Sequence, residues 1–236
     1  MATKSYECGY LKHYGPRFEN VSDDSTEEVI KDVYANWATQ FDKEVLQSAR
    51  ASYHKPLIDY FDEAIKQDFP DMPKDQLKII DAGAGTGILG PYLEMIGYTG
   101  LHALDISQEM LDEAKNKNVY KRFICASLSD KRIPEIKTGE FEAMSCAGTL
   151  VKGHVRSPAL IEMIRMVKIG GLLCFTIRSN EVDDYRAKMD ELVIERRWER
   201  VSKKEVPFYD AEDMPKEIMA FIYRVASHKC DSFFTH

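Results

Sequence analysis

The segment Asp81-Ala82-Gly83-Ala84-Gly85-Thr86-Gly87 sets three glycines at alternate positions directly after the apolar run Leu77-Lys78-Ile79-Ile80. Glycines at a strand-to-helix turn let the backbone bend sharply and let a ligand approach main-chain atoms that a Cβ would shield. In open α/β sheets ligands collect beyond the carboxyl ends of the strands, where this turn falls. Two ligand chemistries fit. Gly85-Thr86-Gly87-Ile88-Leu89-Gly90 satisfies G-x-G-x-x-G, and Asp105 lies 20 residues beyond Gly85, as a nicotinamide dinucleotide site requires. The other frame puts Asp81 ahead of the first glycine. A carboxylate there is repelled by a pyrophosphate and attracted by the ammonium and sulfonium of S-adenosylmethionine, so electrostatics favours the sulfonium compound. Asp105 serves either ligand, because a carboxylate accepts hydrogen bonds from both ribose hydroxyls. A nicotinamide-dependent oxidoreductase therefore stays open as the alternative.

Methyl transfer from a sulfonium is an in-line displacement with an activated leaving group, and alignment and desolvation carry most of it. A dedicated base is optional. His154, after the fourth strand candidate, is the candidate base for an acceptor hydroxyl or protonated amine, and reads equally well as a loop histidine beside Gly153. Arg178 and Asn180, past the fifth strand candidate, can bind a carboxylate or phosphate on an acceptor. They can equally cap the strand or meet Asp183. Tyr6, Tyr10 and Tyr14 recur every four residues and line an acceptor pocket if the N-terminal arm closes over it. Cys146 and Cys174 read as buried small hydrophobes. Arg196, Arg197, Lys203 and Lys204 interleave with Glu195, Glu199 and Glu205, which marks a solvated mixed-charge face.

The elements that position these residues follow from periodicity. Residues 1–27 read as an arm with no committed period. Val29, Val33, Trp37 and Phe41 step by four on a first helix, and Leu57, Ile58, Phe61 and Ile65 share a face of a second that Pro70 and Pro73 end. Strand candidates then alternate with helices: Leu77–Ile80, Leu101–Leu104, Phe123–Ala126, Phe141–Cys146 and Leu172–Ile177. Ser107 is a cap for the helix holding Met110, Leu111 and Ala114. Ser157-Pro158 opens a helix through Val167 that Gly170-Gly171 stop. Such alternation implies a Rossmann-like α/β doubly wound sheet, parallel, with helices on both faces. After a helix holding Tyr185, Met189 and Leu192, two extended stretches at 198–209 and 216–226 have only a short connection, so they form an antiparallel hairpin. The expected organisation is the arm and one domain over 28–236, with a helical lid at 28–70 and the sheet core at 77–236.

Composition narrows the partners. The 236 residues carry 32 Lys and Arg against 39 Asp and Glu, a net charge of -7 that repels polyanions. Five cysteines, none in a Cys-x-x-Cys pair, argue for a reducing compartment and against a structural zinc, so no metal site is expected. No apolar run approaches the roughly 18 residues a membrane span needs. A soluble protein, cytoplasmic or nuclear, is expected.

The motifs Asp81-Ala82-Gly83-Ala84-Gly85-Thr86-Gly87, Leu104-Asp105-Ile106-Ser107 and Gly170-Gly171-Leu172-Leu173-Cys174-Phe175-Thr176 resemble the class I, seven-stranded S-adenosylmethionine-dependent methyltransferases. With Tyr34-Ala35-Asn36-Trp37-Ala38, Phe41-Asp42 and Phe175-Thr176-Ile177-Arg178-Ser179-Asn180, the stretch from Val33 to Tyr223 resembles the methyltransferase-like protein 27, or Williams–Beuren region, family. The resemblance implies S-adenosylmethionine as cofactor and S-adenosylhomocysteine as product. It implies that the turn through Gly83, Ala84, Gly85 and Gly87 passes under the methionine part and that Asp105 holds the ribose. Ile106 and Met110 would pack on the adenine. Ser127 stands where many class members carry an Asp for the adenine amino group, which leaves that contact to its hydroxyl and to the backbone near Leu128. Ala147 would offer backbone atoms to the methionine amine, and Tyr34 and Trp37 would fold over the cofactor. Ala147-Gly148-Thr149-Leu150 replaces the Asn/Asp-Pro-Pro-aromatic turn of nucleobase amino methyltransferases, which with the charge argues against nucleic acid. A small-molecule acceptor under a lid fits, with a protein side chain as another acceptor. A protein that binds the cofactor without catalysis is the remaining reading.

Overall fold

The computed structural model describes residues 12–18, 21–22 and 24–229. Tyr6 and Tyr10 of the arm lie outside the described residues. The strands are β1 (Lys78–Ala82), β2 (Gly100–Asp105), β3 (Tyr120–Cys125), β4 (Phe141–Leu150), β5 (Val167–Arg178), β6 (Trp198–Pro207) and β7 (Glu217–Val225). They form a seven-stranded sheet in the order β3-β2-β1-β4-β5-β7-β6. The first five strands run parallel, and β7 lies antiparallel between β5 and β6. The hairpin expected from the short connection is thus present, with its second strand against the parallel set.

Helices α1 (Glu27–Asp42), α2 (His54–Asp68), α3 (Leu89–Met95), α4 (Gln108–Lys115), α5 (Ala159–Met166) and α6 (Val182–Ile194) cover both faces, and a π-helical turn at Lys43–Ser48 continues α1. Strand side chains alternate between two cores, as the period of two requires. Ile79, Leu172, Cys174 and Ile222 join Leu57 and Phe61 of α2, Leu93 of α3 and Leu111 of α4. Ile80, Met144, Leu173 and Phe175 join Leu160 and Ile164 of α5 and Tyr185, Met189 and Leu192 of α6. Thr26 caps α1 through the Val29 amide and Ser107 caps α4 through the Met110 amide. No helix among the described residues is long and apolar enough to cross a membrane.

Two boundaries differ from expectation. The helix after Pro158 ends at Met166, and Val167 already pairs with Phe141 in the sheet. Gly170-Gly171 therefore lie inside β5 instead of stopping a helix, and a Cβ on Gly171 would sit 2.5 Å from the Glu142 carbonyl oxygen. Gly171 thus lets β5 lie close against β4 at the register break between Phe141 and Ala143, while Gly170 takes a φ of +83°. The fourth strand likewise runs on through Leu150, with a register break after Cys146, so Ala147, Gly148 and Thr149 form a bulge within β4 and not a loop beyond it.

Candidate active site

The turn after β1 is held to the neighbouring strand: the amides of Gly83 and Ala84 both donate to the Leu104 carbonyl, at 2.7 and 2.9 Å. Gly83 and Gly85 adopt φ of +71° and +54°, the left-handed region that side chains avoid. Space then separates their uses. A Cβ on Gly83 would lie 2.1 Å from Thr149 Oγ1 of the β4 bulge, whereas nothing stands within 4 Å of the same point on Gly85. Gly83 admits a neighbouring side chain; Gly85 leaves backbone facing open space. Gly87 and Gly90 face away. Their Cβ positions meet Tyr120, at 2.8 Å in each case, so they make room for that ring and Gly87 does not line the cavity.

Two carboxylates flank this turn. Asp81, 2% exposed, accepts from Tyr120 Oη at 2.7 Å and from Ser145 Oγ at 2.8 Å. Burial pushes its carboxyl up to about 6, against the pull of those two donors. Asp105 accepts from the amides of Gly85 at 2.8 Å and Ser107 at 2.9 Å, and burial again raises its carboxyl above the ordinary value.

A cavity of about 1000 Å³ opens over the carboxyl ends of the strands. Asp105, Ile106, Ser127 and Leu128 line its β2–β3 side. Asp81, Gly83, Ala84, Gly85 and Ala147 line its middle, over β1 and β4. Tyr34, Trp37, His154 and Arg178 line the side toward β5. Two expected residues are elsewhere. Met110 is fully buried in the core with Leu111 and Ala114, because the first turn of α4 points it at the sheet, and it has no face toward the cavity. Asn180 is exposed past the end of β5, away from the cavity that Arg178 enters.

His154 sits between Phe18 and Tyr34, with ring centroids at 5.4 and 5.7 Å. Its Nδ1 lies 3.3 Å from the Lys152 carbonyl, and burial pushes the imidazole down to about 4, so it is neutral at pH 7. Arg178 Nη1 meets Glu181 Oε1 at 3.2 Å, and the other Glu181 oxygen accepts the Lys152 amide at 2.9 Å.

Several cavity residues gave no signal in the sequence. Tyr53 and His54 open α2, and Phe208 and Tyr209 come from the β6–β7 connection. His54 is 2% exposed and lies against the rings of Tyr53, at 4.0 Å, and Tyr92, at 6.0 Å. Its Nε2 is buried with no hydrogen-bond partner. Burial holds this ring near 4 as well, the Asp42 charge opposing. Asp42 itself accepts from Thr86 in the glycine turn and pairs with Lys117.

The arm closes the remaining side. Tyr14, 3% exposed, lies 5.0 Å from the Trp37 ring and 6.4 Å from Tyr209. Phe18 lies 5.5 Å from Trp37. Lys12 and His13 reach Asp213 in the β6–β7 connection at 2.9 and 2.8 Å. Arg17 meets Glu44 at 2.9 Å, and Trp37 Nε1 donates to the same carboxylate at 2.7 Å. Among the described residues no three His, Cys, Asp or Glu side chains gather as metal ligands.

Residues 80–175 match the family model described as a methyltransferase domain. Human methyltransferase-like protein 27 is 32% identical over 147 residues, which take in 62% of this chain and 57% of that protein. The chain thus matches a little over half the length of this relative. Among solved structures, the magnesium protoporphyrin IX methyltransferase of Synechocystis with bound S-adenosylhomocysteine has a TM-score of 0.60 at 15% identity, over 85% of this chain and 99% of that one. A TehB-like S-adenosylmethionine-dependent methyltransferase of Corynebacterium glutamicum has a TM-score of 0.58 at 20% identity, over 82% and 99%.

Proposed function

We propose that the chain, whose sheet and methyltransferase-domain match support a class I S-adenosylmethionine-dependent methyltransferase, transfers a methyl group from S-adenosylmethionine to a small molecule enclosed in the cavity. The observation that carries this reading is the Asp105 carboxylate, tied to the Gly85 amide at 2.8 Å, beside the open space over Gly85. The residues present fit the cofactor. A cation meets two carboxylates, Asp81 and Asp105, and the orphaned His54 Nε2 gains an acceptor in the methionine carboxylate.

When bound, S-adenosylmethionine supplies a methyl group activated by the adjacent sulfonium. Asp105 accepts from the ribose hydroxyls, while Ile106, Ser127 and Leu128 receive the adenine. Asp81 and the Ala147 backbone favour the ammonium. Tyr53 and His54 flank the methionine end, since Asp42 links His54 electrostatically to Thr86 of the turn and a Cβ on Gly148 would lie 3.4 Å from Tyr53 Oη. Tyr34 and Trp37, on the helices over 28–70, act as a lid on the sheet core of 77–236. This lid excludes water and holds the acceptor in line with the methyl group, which is where most of the rate comes from. His154, neutral at pH 7 and a weak base, accepts a hydrogen bond from the acceptor more readily than it stores a proton. Enclosure by Tyr14, Phe18 and Tyr34 favours a small acceptor over a protein side chain and over nucleic acid.

Calorimetric titration of S-adenosylhomocysteine into the purified protein tests this. One site of micromolar affinity, with no response to NAD or NADP, is the expected result. A folded protein that ignores S-adenosylhomocysteine would overturn the reading.

A further inference from the structure

Helix α1 brings Tyr34, Trp37 and Phe41 to the cavity and ends at Asp42. One oxygen of the Asp42 carboxylate accepts the hydroxyl of Thr86, and the other pairs with Lys117, between α4 and β3. Thr86 follows Gly85 in the glycine turn and is 1% exposed. Two carboxylates therefore grip neighbouring residues of that turn. Asp105 of β2 accepts the Gly85 amide, and Asp42 of α1 accepts the Thr86 hydroxyl. Hydrogen bonds to ionised acceptors are the stronger kind, and a helix that swings away from the turn takes from a buried hydroxyl its acceptor. Lys117 and Asp42 are both partly exposed, and an ion pair so placed contributes little, so the bond to Thr86 is where this carboxylate matters.

Beyond Asp42 the chain winds on as a π-helical turn at Lys43–Ser48, a rare geometry met mostly at functional sites. Its Glu44 carboxylate takes the Trp37 indole N–H at 2.7 Å and Arg17 of the arm at 2.9 Å. Val45, next along, lines the cavity. Asp42 thus faces the turn while Glu44, two residues on, holds the ring above the cavity and the arm beside it.

We infer that Asp42 is a positioning residue that clamps the lid helix to the glycine turn, so that the cofactor is gripped between the backbone at Gly85 and the rings of Tyr34 and Trp37. The inference rests on the methyltransferase reading and on the lid assigned with it. Asp42 acts through Thr86 and touches no reacting atom. Such a clamp spares the ligand the cost of ordering the lid, which raises affinity without any added contact.

The test titrates S-adenosylhomocysteine into the full chain and its variants by calorimetry. Asp42→Ala removes the acceptor, and Thr86→Val removes the donor while leaving no buried hydroxyl unpaired. Each should weaken binding at least tenfold. The double variant should bind within threefold of the weaker single one, because both changes cut the same bond. Thr86→Ser, which keeps the hydroxyl, and Lys117→Gln, which leaves the Thr86 bond in place, should both stay within threefold of the parent. The chain has two tryptophans, and Trp198 is packed against Phe175 and Tyr223, so in a Trp198→Phe background Trp37 alone reports on the lid. With saturating S-adenosylhomocysteine, acrylamide should quench Trp37 at least threefold more strongly in Asp42→Ala than in the parent, at unchanged far-UV circular dichroism. Parent-like affinity in either single variant, losses that multiply in the double variant, or a Thr86→Ser or Lys117→Gln as weak as Asp42→Ala would each overturn the inference. So would a loaded Asp42→Ala that shields Trp37 as the parent does. Failure of the parent itself to bind S-adenosylhomocysteine would instead overturn the methyltransferase reading beneath it.

Discussion

The backbone amide of Gly85 donates to the carboxylate of Asp105 across 2.8 Å, joining the turn after β1 to the end of β2. Because the same carboxylate also accepts the Ser107 amide, its position is fixed before any ligand arrives. Asp105→Ala should raise the dissociation constant of S-adenosylhomocysteine at least tenfold, a loss of about 1.4 kcal/mol or more. Calorimetry on the variant checks this; parent-like affinity would remove Asp105 from the site.

The two glycines ahead of that contact should separate stability from binding. Gly83→Ala drives a methyl group into Thr149 at a positive φ and should cost about 2 kcal/mol or more in urea unfolding. Gly85→Ala meets only the backbone strain, about 1 kcal/mol, yet puts a Cβ into the space over the turn. It should fold and lose S-adenosylhomocysteine binding. Equal effects of both variants on unfolding would contradict this division.

Asp81 sets a pH dependence. Its carboxyl is raised from 3.8 to about 6 by burial. Between those values the folded chain keeps a proton that the unfolded chain has lost. The stability this contributes is therefore full below 3.8 and disappears as pH rises through 6. Binding runs the other way, since the ionised form attracts the ligand ammonium. Affinity for S-adenosylhomocysteine should fall on acidification through about pH 6, and Asp81→Asn should bind weakly with that step absent. A parent titration that is flat from pH 7.5 to 5 would sink the assignment.

His54→Phe keeps a ring between Tyr53 and Tyr92 and removes the buried, unpartnered Nε2. Losing an unsatisfied polar atom should leave the melting temperature unchanged or raise it, by the equivalent of about 1 kcal/mol. Affinity for S-adenosylhomocysteine should nevertheless drop severalfold. A stabilised variant with undiminished binding would show that His54 only packs.

These cases show which parts of the molecule local sequence could specify. Ser107, the glycine turn and the closing hairpin announce themselves through short-range chemistry: a cap, a positive φ, and a connection too short for a parallel return. Met110, which the resemblance would pack on the adenine, is aimed into the core by the first turn of α4. Gly87 and Gly90 read as ligand contacts, yet their neighbour is Tyr120, 30 residues past Gly90, which packs on both and donates to Asp81. Tyr53, His54, Phe208 and Tyr209 carry no local mark at all. Only the tertiary fold brings the start of α2 and the β6–β7 connection to one wall, as the isolated bridge between Ala51 and Tyr209 records.

The Lys12 ion pair and the His13 hydrogen bond to Asp213 bind the arm to the β6–β7 connection, and both segments line the cavity. On the proposed function, this fastening holds the Tyr14 and Phe18 rings of the arm over the acceptor side of the cavity. Such contacts at the surface are weakened by salt, which couples the seating of the arm to the ionic strength around it.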